Sequence, residues 1–476
     1  MSDAVRRALL LVGVVVVLVA VGLAGTGTTA PAVPGGVGDA SASATTVTPA
    51  GAESSAWFCS GSTGTAGVAP GALLLANATP RPVTGTATTL TAAAAGPPVP
   101  FTARARAQTV AQPGAAISGS AMLGSSLVLS GGGVGITQVM GSPLGATAAA
   151  CASRTSRRWY FADASTSPGD TVMLSLFNPT DTIAVVDVSF VSAAGVLAPP
   201  AYQGVDLAGD TMVDENVGVH VPGVAHFATV VTTLSGAVVA TEVQTAGQAG
   251  DGGASTTLGA ASPAAVWSFA ENTDVPSGST VFHLFNPSST AARVTVRFGF
   301  SRGAAEPLVV VVPADGVEAL STDKVTRIPR STAFAATFVT ARSTGIVVDR
   351  QVVAPPGSAA PEQGTTAGVP GGSDRWLLPA ADVPAMGVAS LAVVDLGRRP
   401  VAVTLTTLSG VPQRTVAGFD GRTVRPDLPL VVVPAAGSAI GSVPLELRAS
   451  GPVAVEMDAT PAGSPGVSVL PVLPLR

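Results

Sequence analysis

"LSLFNPTDTIAVVDVSF" (174–190) and "FHLFNPSSTAARVTVRF" (282–298) are two copies of one pattern. In each, an apolar segment runs into Asn-Pro, a few polar residues follow, and an alternating stretch comes next. Proline presets φ for a turn and an asparagine side chain can hydrogen-bond its own backbone, so Asn178-Pro179 and Asn286-Pro287 mark turns. Beyond them Val186, Val188 and Phe190 alternate with Asp187 and Ser189, and Val294, Val296 and Phe298 with Thr295 and Arg297. A period of two is that of a strand with one buried face. The unit is strand–turn–strand, and the fold depends on how often it recurs.

The four tryptophans, Trp57, Trp159, Trp267 and Trp376, supply a ruler, with spacings of 102, 108 and 109 residues. Asn178 and Asn286 each follow their tryptophan by nineteen residues; Asp395 stands at the same offset from Trp376, and Asn77 lies twenty after Trp57. The later parts match too: "FATVVTTLSGAVVATEV" (227–243), "FAATFVTARSTGIVVDRQV" (334–352) and "GSVPLELRASGPVAVEM" (441–457) each read as two strands around a turn containing glycine. "SLVLSGGGVGITQV" (126–139) is the weaker first version. Each repeat then holds about six or seven short strands in roughly 85 residues, without helical periodicity. The expectation is an all-β chain of four tandem immunoglobulin-like β-sandwich modules, with a β-propeller of about 50-residue blades as the alternative. The boundaries read from sequence are modules at 54–150, 151–247, 262–356 and 374–476, with small-residue linkers at 248–261 and 357–373.

The openings "WYFAD" (159–163) and "WSFAEN" (267–272), the two "FNP" turns and the closing strands "VVATEV" (238–243) and "IVVDRQV" (346–352) resemble a tandem β-module of bacterial surface proteins. The whole chain looks like an uncharacterised family of exported, single-span actinobacterial proteins. That resemblance implies location and fold, and no assigned reaction.

The chain has 476 residues and a net charge of −5, with 47% apolar and only 11% charged residues, against about 25% charged in ordinary domains. No Lys/Arg stripe exists to neutralise phosphates, so nucleic acid is not an expected partner. Arg6 and Arg7 precede the uncharged run "ALLLVGVVVVLVAVGLAG" (8–25), which is long enough to cross a bilayer. The expectation is a cytoplasmic tail at 1–7, a transmembrane anchor at 8–25, a flexible tether at 26–53 and an extracytoplasmic bulk, with a cleaved signal peptide as the alternative. The chain's two cysteines, Cys59 and Cys151, read as a disulfide in an oxidising compartment, the other reading being two free thiols.

Chemistry is sparse. His220, His226 and His283 have no counterparts in the other repeats, and His283 falls at the position of Ser175, read as an ordinary outward-facing strand site. Asp214 and Glu215 are adjacent and point to opposite faces of a strand, so they cannot act on one sugar together. The glycine runs at 130–136 and 246–255 lack phosphate-binding context. The Asn77 sequon coincides with a repeat turn. Glu242, Arg350 and Glu456 are placed at one closing-strand position, with Gln138 in the first repeat. No catalytic, cofactor or metal residue is expected. The reading is a membrane-anchored envelope protein that contacts cell-wall polymer or another envelope protein. The alternatives are an accessory subunit of polysaccharide assembly, or a wall hydrolase or transferase.

Overall fold

A computed structural model describes residues 43–62, 71–113, 122–142, 145–247, 253–273, 279–329, 332–341, 344–353, 363–381, 386–409, 413–435, 437–461 and 468–476. The expected anchor at 8–25 and the tether as far as residue 42 lie outside them. Among the described residues the protein is all-β, apart from short 3-10 turns such as Pro200–Tyr202, and no helix is long and apolar enough to cross a membrane.

Each of the first three repeats forms two antiparallel sheets over one core. In the second, Gly195–Leu197, Ala184–Ser192, Phe227–Ser235 and Arg158–Ala164 form one sheet, and Thr211–Asn216, Thr171–Asn178, Val239–Ala246 and Gly253–Leu258 the other. The alternation read from 184–190 holds, since Val186, Val188 and Phe190 are buried against Trp159, Leu174 and Leu176. In the fourth repeat the strand Leu445–Pro461 runs through both sheets and fuses them.

All four tryptophans are core residues. Trp159 Nε1 donates to Val238 O at 2.8 Å and Trp267 Nε1 to Ile346 O at 2.7 Å, each 79 residues on; Trp376 Nε1 reaches Val453 O, 77 residues on. The turn residues are equally constant. Asn178 Oδ1 accepts from Thr180 N, and its Nδ2 donates to Thr182 O and Leu207 O; Asn286 repeats this with Ser288, Thr290 and Val312. Asn77 donates to Arg81 O and Ala103 O and is buried, so it serves the turn rather than offering a glycosylation site.

The repeats close into a ring rather than forming a linear array. Continuous cores join first to second, second to third, third to fourth and fourth back to first. Most sheets are therefore covered on both faces: Gly124 of the first repeat meets Met212 and Phe177 of the second, and Gly135 meets Leu377 and Leu473 of the fourth. A propeller has this closure, but its blades are built from consecutive strands, whereas each sheet here mixes strands from both halves of its repeat.

Two expectations are corrected. Within the expected linkers, Gly253–Leu258 and Gln363–Ala367 are strands that extend the inner sheets to the ring axis, where they pack with Gly145–Ala150 and Ser468–Val469. Their small residues, which imitate linker composition, fit a place where strands crowd. The end of the expected tether is docked rather than loose: Ala44 and Val47 are buried and Val47 bridges to Leu475. The disulfide joins Cys59 to Cys151, closing a 92-residue separation and tying the first repeat's opening strand to the end of its axial strand.

Candidate functional site

The polar chemistry of the molecule is concentrated at the junctions between repeats. In each, residues three or four places after a tryptophan are met by a side chain of the following repeat. Thr241 Oγ1 lies 2.5 Å from Ser60 Oγ. Asp349 Oδ2 accepts from Ala162 N at 2.6 Å and Asp163 N at 3.3 Å, and Glu456 Oε2 does the same for Ala270 N at 2.8 Å and Glu271 N at 3.3 Å. At the closing junction Gln108 Oε1 accepts from Ala380 N while its Nε2 donates to Ala380 O.

This corrects the sequence alignment of the closing strand. Glu242 opposes Leu174 and Arg350 opposes Phe282, four residues before their turn asparagines, and Gln138 opposes Leu73 likewise. Glu456 opposes Ala392, three before Asp395, as Thr241 opposes Ser175 and Asp349 opposes His283. Glu456 is thus the equivalent of Asp349, and the partner of Arg350 by position is the core residue Met457. A one-residue slip sends a side chain to the other face, and sequence spacing alone did not resolve it.

The second–third junction carries the most chemistry. His283 is buried, not outward-facing, because its sheet is covered by the preceding repeat. Its Nδ1 lies 3.4 Å from Asp163 Oδ1, and His226 Nδ1 lies 3.0 Å from the same oxygen. The two imidazoles stack at 4.7 Å with 23° between planes. The arrangement draws on the opening strand Arg158–Ala164, the residue preceding strand Phe227–Ser235, and strand Ser279–Asn286 of the next repeat. His226 holds a φ of 55°, which histidine tolerates better than most residues. Its hydrogen bond to Asp163 raises its pKa; burial lowers that of His283. Around them Asp349 is pushed up to about 7 and Glu242 to about 8, in both cases chiefly by burial. His220 stands apart, edge-on to Tyr202.

At the third–fourth junction Arg350 pairs with Glu456 at 2.7 Å, donates to Glu271 O and lies 5.5 Å over the Phe269 ring. Burial opposes its charge, yet Glu456 and Asp458 outweigh that and raise its pKa. This is a buried structural ion pair whose Arg350 Nε makes no hydrogen bond. Asp214 is tied to Ser175 Oγ at 2.6 Å, and Asp214 and Glu215 oppose Ser175 and Leu174, successive residues whose side chains leave opposite faces. On the axis, a cavity of about 270 Å³ is lined by residues of all four repeats, among them Thr256, Trp267, Trp376 and Leu475.

The sequence pattern missed the Asp163–His226–His283 group because its members come from two repeats. The available signal was the pair of histidines lacking counterparts elsewhere.

No curated protein is similar to the chain. The crystal structure of Thermotoga maritima 1070 aligns with 22% of this chain and 94% of its own at 17% identity and a TM-score of 0.20. A tetra-tandem repeat from the extending region of a large adhesion protein aligns over 84% and 93% at 13% identity and 0.11. Neither score supports a structural argument. A family model spans residues 105–410, well over half of the chain, and the protein belongs to that family of unknown function, DUF5719.

Proposed function

We propose that the protein is a non-catalytic platform of the cell envelope, anchored in the membrane through residues 8–25 with its repeats outside, and that it contacts cell-wall polymer or another envelope protein at its rim. The observation that carries this reading is where the repeats leave apolar surface. Many of their buried polar groups serve turns and junctions, while edge strands of the first three repeats expose Val99, Val196, Val309 and Val311. Exposed apolar residues on sheet edges are contact surface. Val47 is bridged to Leu475, and Ser43 lines the axial cavity. The immunoglobulin-like description of each repeat belongs to the same reading, supported by the pairing of second with fifth and of third with fourth and sixth strands in the first repeat.

The test is crosslinking in intact cells with a photoreactive residue at Val196. Wall polymer or a defined envelope protein is the expected product, reduced by the V309D/V311D double variant. Protease added to whole cells should cut the repeats. Absence of any crosslinked species, or protection of the repeats, would reject the reading; a glycosyltransferase among the products would favour the accessory-subunit alternative.

A further inference from the structure

We propose that Asp163, His226 and His283 bind one divalent transition-metal ion of the zinc class, which clamps the second repeat to the third. One ligand atom from each of Asp163, His226 and His283 lies within 4.8 Å of the other two. The two Nδ1–Oδ1 edges, 3.0 and 3.4 Å, bracket the roughly 3.3 Å separation of ligands that each stand about 2.0 Å from a tetrahedral ion. Two imidazole nitrogens and one carboxylate oxygen, without thiolate, form a donor set suited to zinc and its neighbours rather than to magnesium or calcium.

Burial adds to that convergence. The His283 side chain is only 6% exposed, and the Gln351 side chain hydrogen-bonds its ring, the kind of outer contact that orients a metal-ligating imidazole. An ion between the three atoms accounts for both rings pointing their Nδ1 at one oxygen. The surroundings also hold Asp163 in place as outer groups hold metal ligands: its other oxygen receives Thr365 Oγ1 at 3.4 Å and its backbone N–H is bound by Asp349. His226 is 47% exposed, which gives an ion a path in and leaves a coordination position for water. The inference is independent of the envelope reading, since it concerns the junction and not the rim.

The full-length chain, purified in mild detergent and stripped with chelator, is titrated with zinc chloride by calorimetry while thermal unfolding is followed in parallel. Wild type is expected to take up one equivalent saturably and to unfold at a higher temperature with zinc. The H226A variant, whose side chain is half exposed and whose loss leaves the core intact, should bind at least tenfold more weakly and show no thermal shift. D163N should do the same, and H220A should behave as wild type. No saturable uptake by wild type, or uptake and thermal shift unchanged in H226A, would overturn the proposal.

Discussion

Asp395 occupies the place where the other repeats have asparagine. Its Oδ1 accepts from Gly397 N as theirs accept from the turn, but a carboxylate cannot donate to the carbonyls an amide reaches, and its Oδ2 is buried without a partner. Burial accordingly raises its pKa. An acid whose folded pKa exceeds its unfolded value contributes stability present at low pH and lost as pH rises through the folded pKa. The D395N variant should therefore be more stable than wild type at pH 7, by about 1–2 kcal/mol in denaturant titration, with the gain shrinking toward pH 3. The reverse change, N178D, should destabilise, and equal midpoints for either pair would show that the turn amide is not needed. Glu242 follows the same rule on a larger scale. Its Oε1 accepts from Thr229 at 2.7 Å, its Oε2 has no partner, and its pKa stands at about 8, first because of burial and then because Asp349 and Asp163 are near. Stability should decline between about pH 4.5 and pH 8 through this group. E242Q should flatten that decline in thermal melts from pH 5 to 9.

At the scale of strands, the pattern was legible wherever one face meets a core and the other meets solvent. Val186, Val188 and Phe190 announce their strand, and the tryptophan spacing anticipates an indole bond reproduced at 79 residues in two repeats. Legibility failed where strands are crowded on both sides. Gly145–Ala150 and Gly253–Leu258 are built from Gly, Ala, Ser and Thr with a terminal leucine in one, and nothing in that composition separates an axial strand from a linker. The junction residues failed for a different reason: their partners lie in another repeat, so neither spacing nor periodicity links Asp163 with His283. Close approach between repeats makes a direct prediction. A Cβ on Gly299 would lie 1.5 Å from Asp427 O, backbone of the fourth repeat, so G299A must move one strand and should destabilise by about 1–3 kcal/mol. An unchanged midpoint would mean that the two repeats part there without cost.

For the molecule as a whole, the ring determines how it should unfold. In a linear array each repeat touches only its neighbours, stability is a sum of local terms, and unfolding can proceed in stages from either end. Here the fourth repeat is fixed to the first through Gln108 and Ala380, through Leu377 and Leu473 against Gly135, and through Val47 against Leu475. Among the described residues neither the first nor the fourth repeat is free. The Cys59–Cys151 bond adds a cross-link within the first repeat, worth about 4–5 kcal/mol for a loop of that length. Losing one repeat therefore strips apolar cover from two others, and calorimetry of the full chain should show one cooperative transition rather than several. Q108A removes both bonds to Ala380 and leaves that backbone N–H and C=O without their partner, a cost of about 1–3 kcal/mol. Because the ring couples the repeats, this change should lower the single transition as a unit. A low-temperature transition that splits away, carrying only part of the unfolding enthalpy, would show that the ring is closed in shape but not in energy.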